Sequence, residues 1–541
     1  MQYLFLSPTV ALNLLYALFI FLHLATVVNI VNEAEVREVI IKLKPSNSCG
    51  PDSIPSIIIK GCAEALIKVL VHIFNCCLVS SNYPKSWKVS RVCPLYKKCD
   101  RLNGSNYRVI CVLNALSKVF EIILNERLYF HVKSSISNAQ HGFVRGRSTI
   151  SNLTVFTTFT SKCLAENNQV DTVYFDFKQA FDKVDHSLLL LKLLNDFDIP
   201  LELILLIRSY LRERFQFVSY NGSKSKKYPV FSGVPQGSIL GPLLFIIFIN
   251  DFITFVRFCI ILLYADDVKI SKKICNQKDI EMVQQDIDAI VEWAKLNKMF
   301  LNASKCSVVS YCRRTPLANK YVLEGVALDN FNQLKDMGIT FDQKLTFKNH
   351  FEIIRKSALR TLGAVIRTSR HFQNISTFKL LYNALVRSRL EYGSVVWSPK
   401  SQTSSDQIER VQKRFLRYLY YREHGSYPHY MHNPVRTSDM QKEFGISSLQ
   451  DRRNSTDCIF LYKIINNQID NSDLLQLIHF KIQTFNSRNR TLFSIPITRN
   501  NYDRTPLYNM QCQFNILPPD IDPFCMSLAK FKSYFQKKGL Y

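Results

Sequence analysis

The fold is decided by a short acidic stretch, Tyr264-Ala265-Asp266-Asp267, which follows the apolar residues 258–263 and precedes Val268-Lys269-Ile270. Two adjacent carboxylates between β-prone segments predict a tight hairpin turn that presents acid groups to a divalent metal. Asp176 closes a second β-prone run, residues 172–175. Three carboxylates from two neighbouring strands are able to hold a pair of Mg²⁺ ions, an arrangement suited to phosphoryl transfer. The tetrapeptide alone leaves an alternative open, because acid pairs are also common in exposed loops.

Two longer stretches narrow the choice. The first is Asp176-Phe177-Lys178-Gln179-Ala180-Phe181-Asp182, and the second is Phe231-Ser232-Gly233-Val234-Pro235-Gln236-Gly237-Ser238-Ile239-Leu240-Gly241-Pro242. Together with the acidic stretch, and in this chain order, they resemble the three catalytic blocks of reverse transcriptases. The chain is similar to the reverse transcriptases of non-LTR (LINE-type) retrotransposons, in particular the jockey-like elements of animals. Bacterial group II intron and retron enzymes share these blocks, but the form of the first block favours the animal branch.

Flanking segments agree with this resemblance over roughly residues 33–400. They are Ser48-Cys49-Gly50-Pro51-Asp52, Asn106-Tyr107-Arg108-Val109-Ile110, Gln140-His141-Gly142-Phe143, the residues Trp293, Asn297 and Lys305 of a fourth block, and Leu334-Lys335-Asp336-Met337-Gly338 of a fifth. Two positions depart from the family pattern, since Val109 stands where proline is usual and Met337 where leucine is usual.

The resemblance implies an α+β fold, a right-hand polymerase with fingers, a palm on an antiparallel sheet and a helical thumb. We expect fingers and palm over residues 32–345, the thumb over 346–400, and a mostly helical C-terminal extension over 401–541. Apolar spacing predicts helices at 35–43, 63–78, 200–211, 280–297, 351–367, 376–390 and 408–420. Strands 215–220 and 227–231 are predicted to form a hairpin around Asn221-Gly222, and Asp279 to cap helix 280–297.

The metal-binding residues follow from the resemblance. Asp176 and Asp266 are expected to bridge two Mg²⁺ ions, with Mn²⁺ as an alternative ion, and Asp267 is expected to support the site. The backbone carbonyl of Phe177 is a further expected oxygen ligand.

Substrate contacts are expected from the first two blocks. Phe181 would lie under the sugar of the incoming nucleotide, where its ring leaves no room for a 2′-hydroxyl. Gln236 and Gly237 would line the base and template side, and Gly233 and Gly237 would let the backbone approach nucleic acid closely.

Three basic residues complete the expected site. Arg108 and Arg145 are candidates for the triphosphate or the template overhang, and Lys305 resembles a lysine proposed as general acid toward the leaving pyrophosphate. For each of them an ordinary surface charge is the alternative.

Composition favours a globular protein with a polyanionic partner. The 541 residues carry 69 Lys plus Arg against 43 Asp plus Glu, a formal charge of +26. Such an excess favours nucleic acid, because basic grooves gain affinity by releasing counterions from phosphates. The fifteen cysteines have neither disulfide-framework nor zinc spacing. They predict reduced thiols in an intracellular protein of the nucleus or cytoplasm.

The N-terminal segment 1–31 is nearly free of charge and strongly apolar from Leu4 onward. It is long enough to span a bilayer, but it lacks the basic start of a signal peptide. Three interpretations compete: a membrane anchor, a buried helix, or sequence upstream of a truncated element. We favour the last, because the family resemblance begins abruptly near Glu33. Full-length relatives carry an endonuclease domain before this point, so we expect that activity, where needed, to be supplied in trans.

A basic helix is predicted just beyond the thumb. Residues 408–420 carry Arg410, Lys413, Arg414 and Arg417 between apolar positions. Binding of template RNA or of a target duplex is one interpretation, because aromatic residues from Tyr418 onward suit stacking on bases. A solvated helix face packed on the thumb is the other.

The predicted function is RNA-directed DNA polymerisation, by a nucleotidyltransferase of retrotransposon origin. Its partners would be an RNA template, a DNA primer or target DNA, and dNTPs, with no membrane unless segment 4–31 is a genuine anchor. Two alternatives remain: an inactive or domesticated remnant that binds nucleic acid, and a membrane-tethered interaction protein.

Overall fold

The computed structural model describes residues 30–97, 100–428, 435–481, 491–495, 505–518 and 520–539. Nearly all of the apolar segment 1–31 therefore lies outside the described residues. Within these ranges, no helix combines the length and the apolar character that crossing a bilayer requires.

Within the described residues, both helices and strands occur up to Asp342, and each element after Asp342 is a helix. The helices are α1 Glu33–Lys42, α2 Ser56–Gly61, α3 Ala63–Val79, α4 Ala115–Val132, α5 Thr149–Ala165, α6 Ala180–Lys183, α7 His186–Asn195, α8 Leu201–Leu211, α9 Leu240–Ile249, α10 Gln277–Leu296, α11 Lys348–Thr368, α12 Ile375–Leu381, α13 Ser388–Glu391, α14 Ser394–Trp397, α15 Gln402–His424, α16 Thr437–Phe444, α17 Leu449–Ile465, α18 Ser472–Leu475, α19 Pro506–Asn515 and α20 Leu528–Lys537. The strands are β1 Val89–Tyr96, β2 Tyr107–Val112, β3 Gln169–Phe175, β4 Arg214–Tyr220, β5 Ser223–Lys224, β6 Tyr228–Val230, β7 Ile260–Tyr264, β8 Asp267–Ile274, β9 Ser307–Tyr311, β10 Val322–Leu323, β11 Val326–Ala327, β12 Asp329–Asn330, β13 Gln333–Asp336 and β14 Ile339–Asp342.

The chain divides into two compact units that interleave in sequence. Unit 1 comprises Met1–Ile136, Gln179–Asn250 and Asn297–Met299, and unit 2 comprises Ser137–Lys178, Asp251–Leu296 and Phe300–Tyr541. The α+β class predicted from the sequence is confirmed. The assignment of fingers, palm, thumb and extension to sequence ranges stays a prediction.

Unit 1 is built on a sheet of order β2-β1-β4-β5, and β6 also pairs with β4, in the antiparallel sense. The strands β4 and β6 form the predicted hairpin around Asn221-Gly222. Aromatic side chains form the core of unit 1. Phe74 stacks on Phe120 at 4.7 Å between ring centroids, and Tyr83 packs edge-on against Tyr210 at 5.0 Å. Residues 89–112 contain the strands β1 and β2, which the sequence analysis had not predicted.

Unit 2 is built on a sheet of order β12-β9-β3-β8-β7. The central strand β3 is antiparallel to both of its neighbours, β8 and β9, and six of its seven residues are buried. A single large apolar core joins this sheet to α5, α11, α15 and α17. The strand ends that carry the predicted acids are therefore fixed by one continuous core.

Two predicted helices differ in detail from the observed ones. Helix α10 begins at Gln277 because Asn276, and not Asp279, is its cap. The Asp279 N–H donates to Asn276 Oδ1 at 3.2 Å, and the Asn276 N–H donates back to Asp279 Oδ2 at 3.2 Å, so the two form a reciprocal capping box. The predicted helix 376–390 is divided by a π-helical segment at Tyr382–Arg387. Tyr382 stacks there on Phe415 at 4.0 Å.

Candidate active site

The acidic stretch forms the turn of the hairpin between β7 and β8. Tyr264 pairs with Asp267 across the hairpin, so Ala265 and Asp266 are the two turn residues. Ala265 has a φ of 56°, and its N–H donates to Gln140 Oε1 at 2.9 Å. A Cβ on Gly142 would lie 2.3 Å from the Ala265 nitrogen. The segment Gln140–Phe143 therefore packs against the turn and fixes its backbone.

Asp176 follows the last paired residue of β3, which lies beside β8. Phe175 pairs with Val268, so the next step of the antiparallel register sets Asp176 opposite Asp267. The Asp176 carbonyl accepts the Asn302 N–H at 2.8 Å, and its N–H donates to Cys306 Sγ at 3.4 Å. The register therefore brings Asp176, Asp266 and Asp267 together at the ends of the neighbouring strands β3 and β8.

Electrostatic repulsion links the three acids. Asp267 is partly exposed to solvent. Partial burial of its carboxyl nevertheless raises its pKa to about 6. The negative charge of Asp266 is the next contribution to this rise in pKa, and those of Asp336 and Asp176 follow. Like charges close together favour the protonated form, so the acids lie within one another's field.

A buried ion pair lies next to these acids, and the sequence analysis had not predicted it. Lys269 lies two residues after Asp267 on β8, and its ammonium pairs with Asp336 of β13. The side chains of Lys269 and Asp336 are 3% and 7% exposed. The Lys269 ammonium also lies 4.7 Å from the centre of the Phe156 ring. Burial lowers the pKa of Lys269, and the carboxylate of Asp336 opposes that effect.

The acids suit a divalent cation in their chemistry. Carboxylate oxygens are the donors that Mg²⁺ prefers. Burial, followed by the negative charges of Asp266, Asp336 and Asp176, raises the pKa of Asp267, and a cation would neutralise those charges. Among the residues that the structure describes, no three His, Cys, Asp or Glu side chains already form a ready metal cluster. The buried ring of Phe177 packs edge-on against Trp293 at 6.2 Å, which fixes the backbone next to Asp176.

The predicted basic residues of unit 2 have different surroundings. Lys305 Nζ lies 3.2 Å from Asp176 Oδ2, so it belongs to the acidic cluster. Arg145 is exposed. Its neighbour Arg147 forms an ion pair with Asp470 at 2.6 Å and donates to backbone carbonyls, including that of Ser137. Arg147 therefore has a structural role in the surrounding loop.

Unit 1 carries the other predicted substrate residues, and its second block folds onto its first. The Gln236 amide donates to Asp182 Oδ1 at 2.9 Å, and the Val234 N–H donates to the Phe181 carbonyl at 2.8 Å. The Phe181 ring is half-buried and stacks on Phe245 at 4.3 Å. Burial raises the pKa of Asp182, while the Gln236 hydrogen bond lowers it.

The two glycines of the second block face protein backbone. A Cβ on Gly233 would lie 2.7 Å from three backbone atoms of Asp182, and a Cβ on Gly237 would lie 2.5 Å from the Cys111 carbonyl oxygen. Their φ values are +82° and +116°. The structure thus gives a packing reason for both glycines, where we had expected close approach of nucleic acid.

A cavity of about 320 Å³ opens beside this loop within unit 1. Asp182, Gln236, Arg214 and Val109 are among its lining residues. Val109, which replaces the usual proline, thus lies at the cavity wall. Arg108, the preceding residue of β2, is exposed.

Comparisons with known proteins identify the family. The profile described as "Reverse transcriptase (RNA-dependent DNA polymerase)" matches residues 97–365, a range that includes all three catalytic blocks. The chain thus contains a reverse transcriptase domain. The relatives to which it is similar include RNA-directed DNA polymerases of jockey-like mobile elements.

Two relatives illustrate the extent of the similarity. The "RNA-directed DNA polymerase from mobile element jockey" of Drosophila melanogaster is 29% identical over 77% of this chain and 46% of its own length. The "Probable RNA-directed DNA polymerase from transposon BS" of the same species is 27% identical over 71% of this chain and 44% of its own length. The chain thus spans about half the length of these relatives.

Among solved structures, a telomerase from Candida albicans in complex with a telomeric RNA fragment is similar over 73% of this chain and 72% of its own. The identity is 12% and the TM-score 0.36. A likeness of this degree adds nothing to the assignment, which rests on the sequence family.

Proposed function

We propose that this chain is an RNA-directed DNA polymerase that extends the 3′-hydroxyl of a primer with dNTPs on an RNA template. The observation that carries the proposal is the juxtaposition of Asp176 with the Asp266-Asp267 turn, at the ends of adjacent strands in a reverse transcriptase domain. The relatives named above are described as RNA-directed DNA polymerases, which supports the same reaction.

The three acids are proposed to hold the divalent ions of this reaction. When bound, two Mg²⁺ or Mn²⁺ ions would supply the positive charge that lowers the pKa of the primer hydroxyl and neutralises the triphosphate. Asp176 and Asp266, with the carbonyl of Phe177, are the proposed ligands. Asp267 begins β8 and is fixed by its pairing with Tyr264, so we assign it the supporting role.

The remaining residues are proposed to bind and orient substrates. Lys305 neutralises part of the acidic charge through its contact with Asp176 and would donate a proton toward the leaving pyrophosphate. Phe181 would exclude a ribose 2′-hydroxyl, because its ring is fixed by Phe245. Arg108 and Arg145 are exposed cations that suit phosphate groups. Gln236 and Gly237 would contact the template side.

The proposed partners are an RNA template and a DNA primer or target strand. The formal charge of +26 supports polyanionic partners, because neutralised phosphates release counterions. A nuclear or cytoplasmic location is proposed with them.

The test is extension of a DNA primer on an RNA template with dNTPs and Mg²⁺. We expect the Asp266→Asn and Asp176→Asn variants to lose extension and still bind the primer–template hybrid. A matched control is Asp288→Asn, the same substitution at an exposed acid of α10 in the same unit, and it should extend normally. Binding without extension by the unmodified chain would support an inactive remnant. Equal extension by all variants would refute the assignment of the acids.

A further inference from the structure

Helix α15 in unit 2 carries four basic side chains on one face. Arg410, Lys413, Arg414 and Arg417 follow the spacing i, i+3, i+4 and i+7, which places them on one side of a helix. The opposite side of α15, including Val411 and Phe415, is buried in the core of unit 2. The basic face is therefore oriented outward by packing.

This face forms one wall of a cavity of about 580 Å³, here called the basic groove. The other wall is α11, which contributes Leu359 and Ile366. Tyr418 and Tyr427 also line it, and none of the described residues in the lining is acidic. The basic groove thus combines concentrated positive charge with apolar and aromatic surface.

The guanidinium groups of the groove are available to a ligand. Arg410, Arg414 and Arg417 are exposed, and within the described parts of the chain none of them has a hydrogen bond or an ion pair. The half-buried Arg422 of the same helix, by contrast, donates to the Arg370 carbonyl at 2.8 Å. Three arginines without protein acceptors on one face favour an anionic ligand with several acceptors.

We propose that the basic groove binds single-stranded nucleic acid. The arginines would contact successive phosphates, and an unstacked base would lie against the tyrosine rings and the aliphatic wall. The ring of Tyr427 stacks on that of Tyr421, with ring centroids 4.5 Å apart and ring planes at 7° to each other, and a base would extend this stack. A duplex fits less well, because its bases are stacked inside and leave the apolar wall without a partner. The inference goes beyond the proposed function and needs no polymerase chemistry.

The test is binding of the full chain to fluorescent 20-nucleotide oligo(U) and oligo(dT), and to a blunt duplex, over a range of salt concentrations. The groove variant is Arg410→Gln/Arg414→Gln. Its control is Lys530→Gln/Lys537→Gln, which removes two exposed cations from α20 of the same unit. Circular dichroism establishes that both variants fold.

Loss of two phosphate contacts should reduce the slope of log K against log salt by about 1.4, since single strands contribute about 0.7 per contact. Between about 50 and 200 mM salt the affinity of the groove variant should thus fall about sevenfold less than that of the unmodified chain. The control should retain the full slope.

A Tyr427→Leu variant separates stacking from charge. It should weaken single-strand binding about five- to 150-fold, the range for one stacked base, with an unchanged salt slope. The ratio of oligo(U) to oligo(dT) affinity shows whether RNA or DNA is preferred.

Equal slopes for groove variant and control would overturn the proposal, and so would an equal loss of duplex and single-strand binding by the groove variant. Asp266→Asn should bind the oligonucleotides normally. A chain that binds through the groove but does not extend a primer would thus contradict the proposed polymerase function alone.

Discussion

The buried pair of Lys269 and Asp336 makes a quantitative test of how the acidic cluster is supported. Replacing Lys269 by methionine keeps an unbranched apolar chain one atom shorter than lysine, but it removes the ammonium that lies over the Phe156 ring and leaves Asp336 buried without a counter-charge. Breaking a buried pair in this way costs about 3–5 kcal/mol. We expect a loss of this size in the free energy of unfolding of unit 2.

The double variant Lys269→Met/Asp336→Leu should recover most of that loss, because replacing both members by apolar side chains removes the uncompensated charge. The control is Lys273→Met on the same strand, whose partner Glu166 is 2.8 Å away and largely exposed. Its effect should be much smaller, since exposed pairs contribute little. Urea unfolding followed by tryptophan fluorescence measures all four chains, because Trp293 and Trp397 are buried in unit 2.

Activity gives a second measurement on the same variants. Lys269 lowers the pKa of Asp267, and Asp336 raises it. The single variant should therefore need a higher pH for primer extension than the unmodified chain, and the double variant should return toward normal. Two results would show that Lys269 does not compensate the buried charge of Asp336. Either Lys269→Met would be as stable as the unmodified chain, or the double variant would be no more stable than the single one.

Three further predictions concern single positions. Gly233→Ala should destabilise unit 1 and reduce extension, because the new Cβ would meet the Asp182 backbone. Gly222→Ala is the control, since Gly222 has the same φ of +82° but open space around it. A thermal melt should show a smaller loss of stability for the control. Because the pKa of Asp267 is raised to about 6, protons should compete with Mg²⁺ below that pH, and titrations of extension against Mg²⁺ should show a rising half-maximal concentration as the pH falls from 7 to 5. Burial lowers the pKa of His141 to about 3, so on acidification the unfolded state takes up the His141 proton before the folded state does. The free energy of unfolding should therefore fall by about 1.4 kcal/mol per pH unit as the pH drops from about 6.5 toward 3. In urea unfolding, His141→Asn should show a flatter pH dependence of this free energy, and an unchanged pH dependence would contradict the prediction.

The sequence predicted those parts of the site that are encoded locally. The turn at Ala265 and Asp266 lies between two β-prone runs, and Asp176 closes another, so strand, turn and acid are all specified within a few residues. The helix at α10 was predicted for the same reason. Its exact start was wrong because Asn276 and Asp279 both suit a cap, and only the hydrogen bonds show which one fills that position.

The parts that were missed depend on residues far apart in the chain. Lys269 and Asp336 are separated by 67 positions, and neither lies in a pattern that indicates a buried charge. Strand β1 pairs in parallel with β4, a partner more than 100 residues away, so local periodicity did not reveal it. Gly233 was assigned to nucleic acid because its motif is a loop, whereas the neighbour it needs is Asp182.

The two adjacent acids of the turn are not equivalent, and the register explains why. Asp266 is a turn residue, whereas Asp267 is paired in β8 and stands across from the position that Asp176 extends. Its charge is therefore held between β3 and the buried pair of Lys269 and Asp336, which explains why burial and three neighbouring acids act on its pKa. The fixed backbone position of Asp267 suits the supporting role that we propose for it, since its ionisation would change the total negative charge of the three acids.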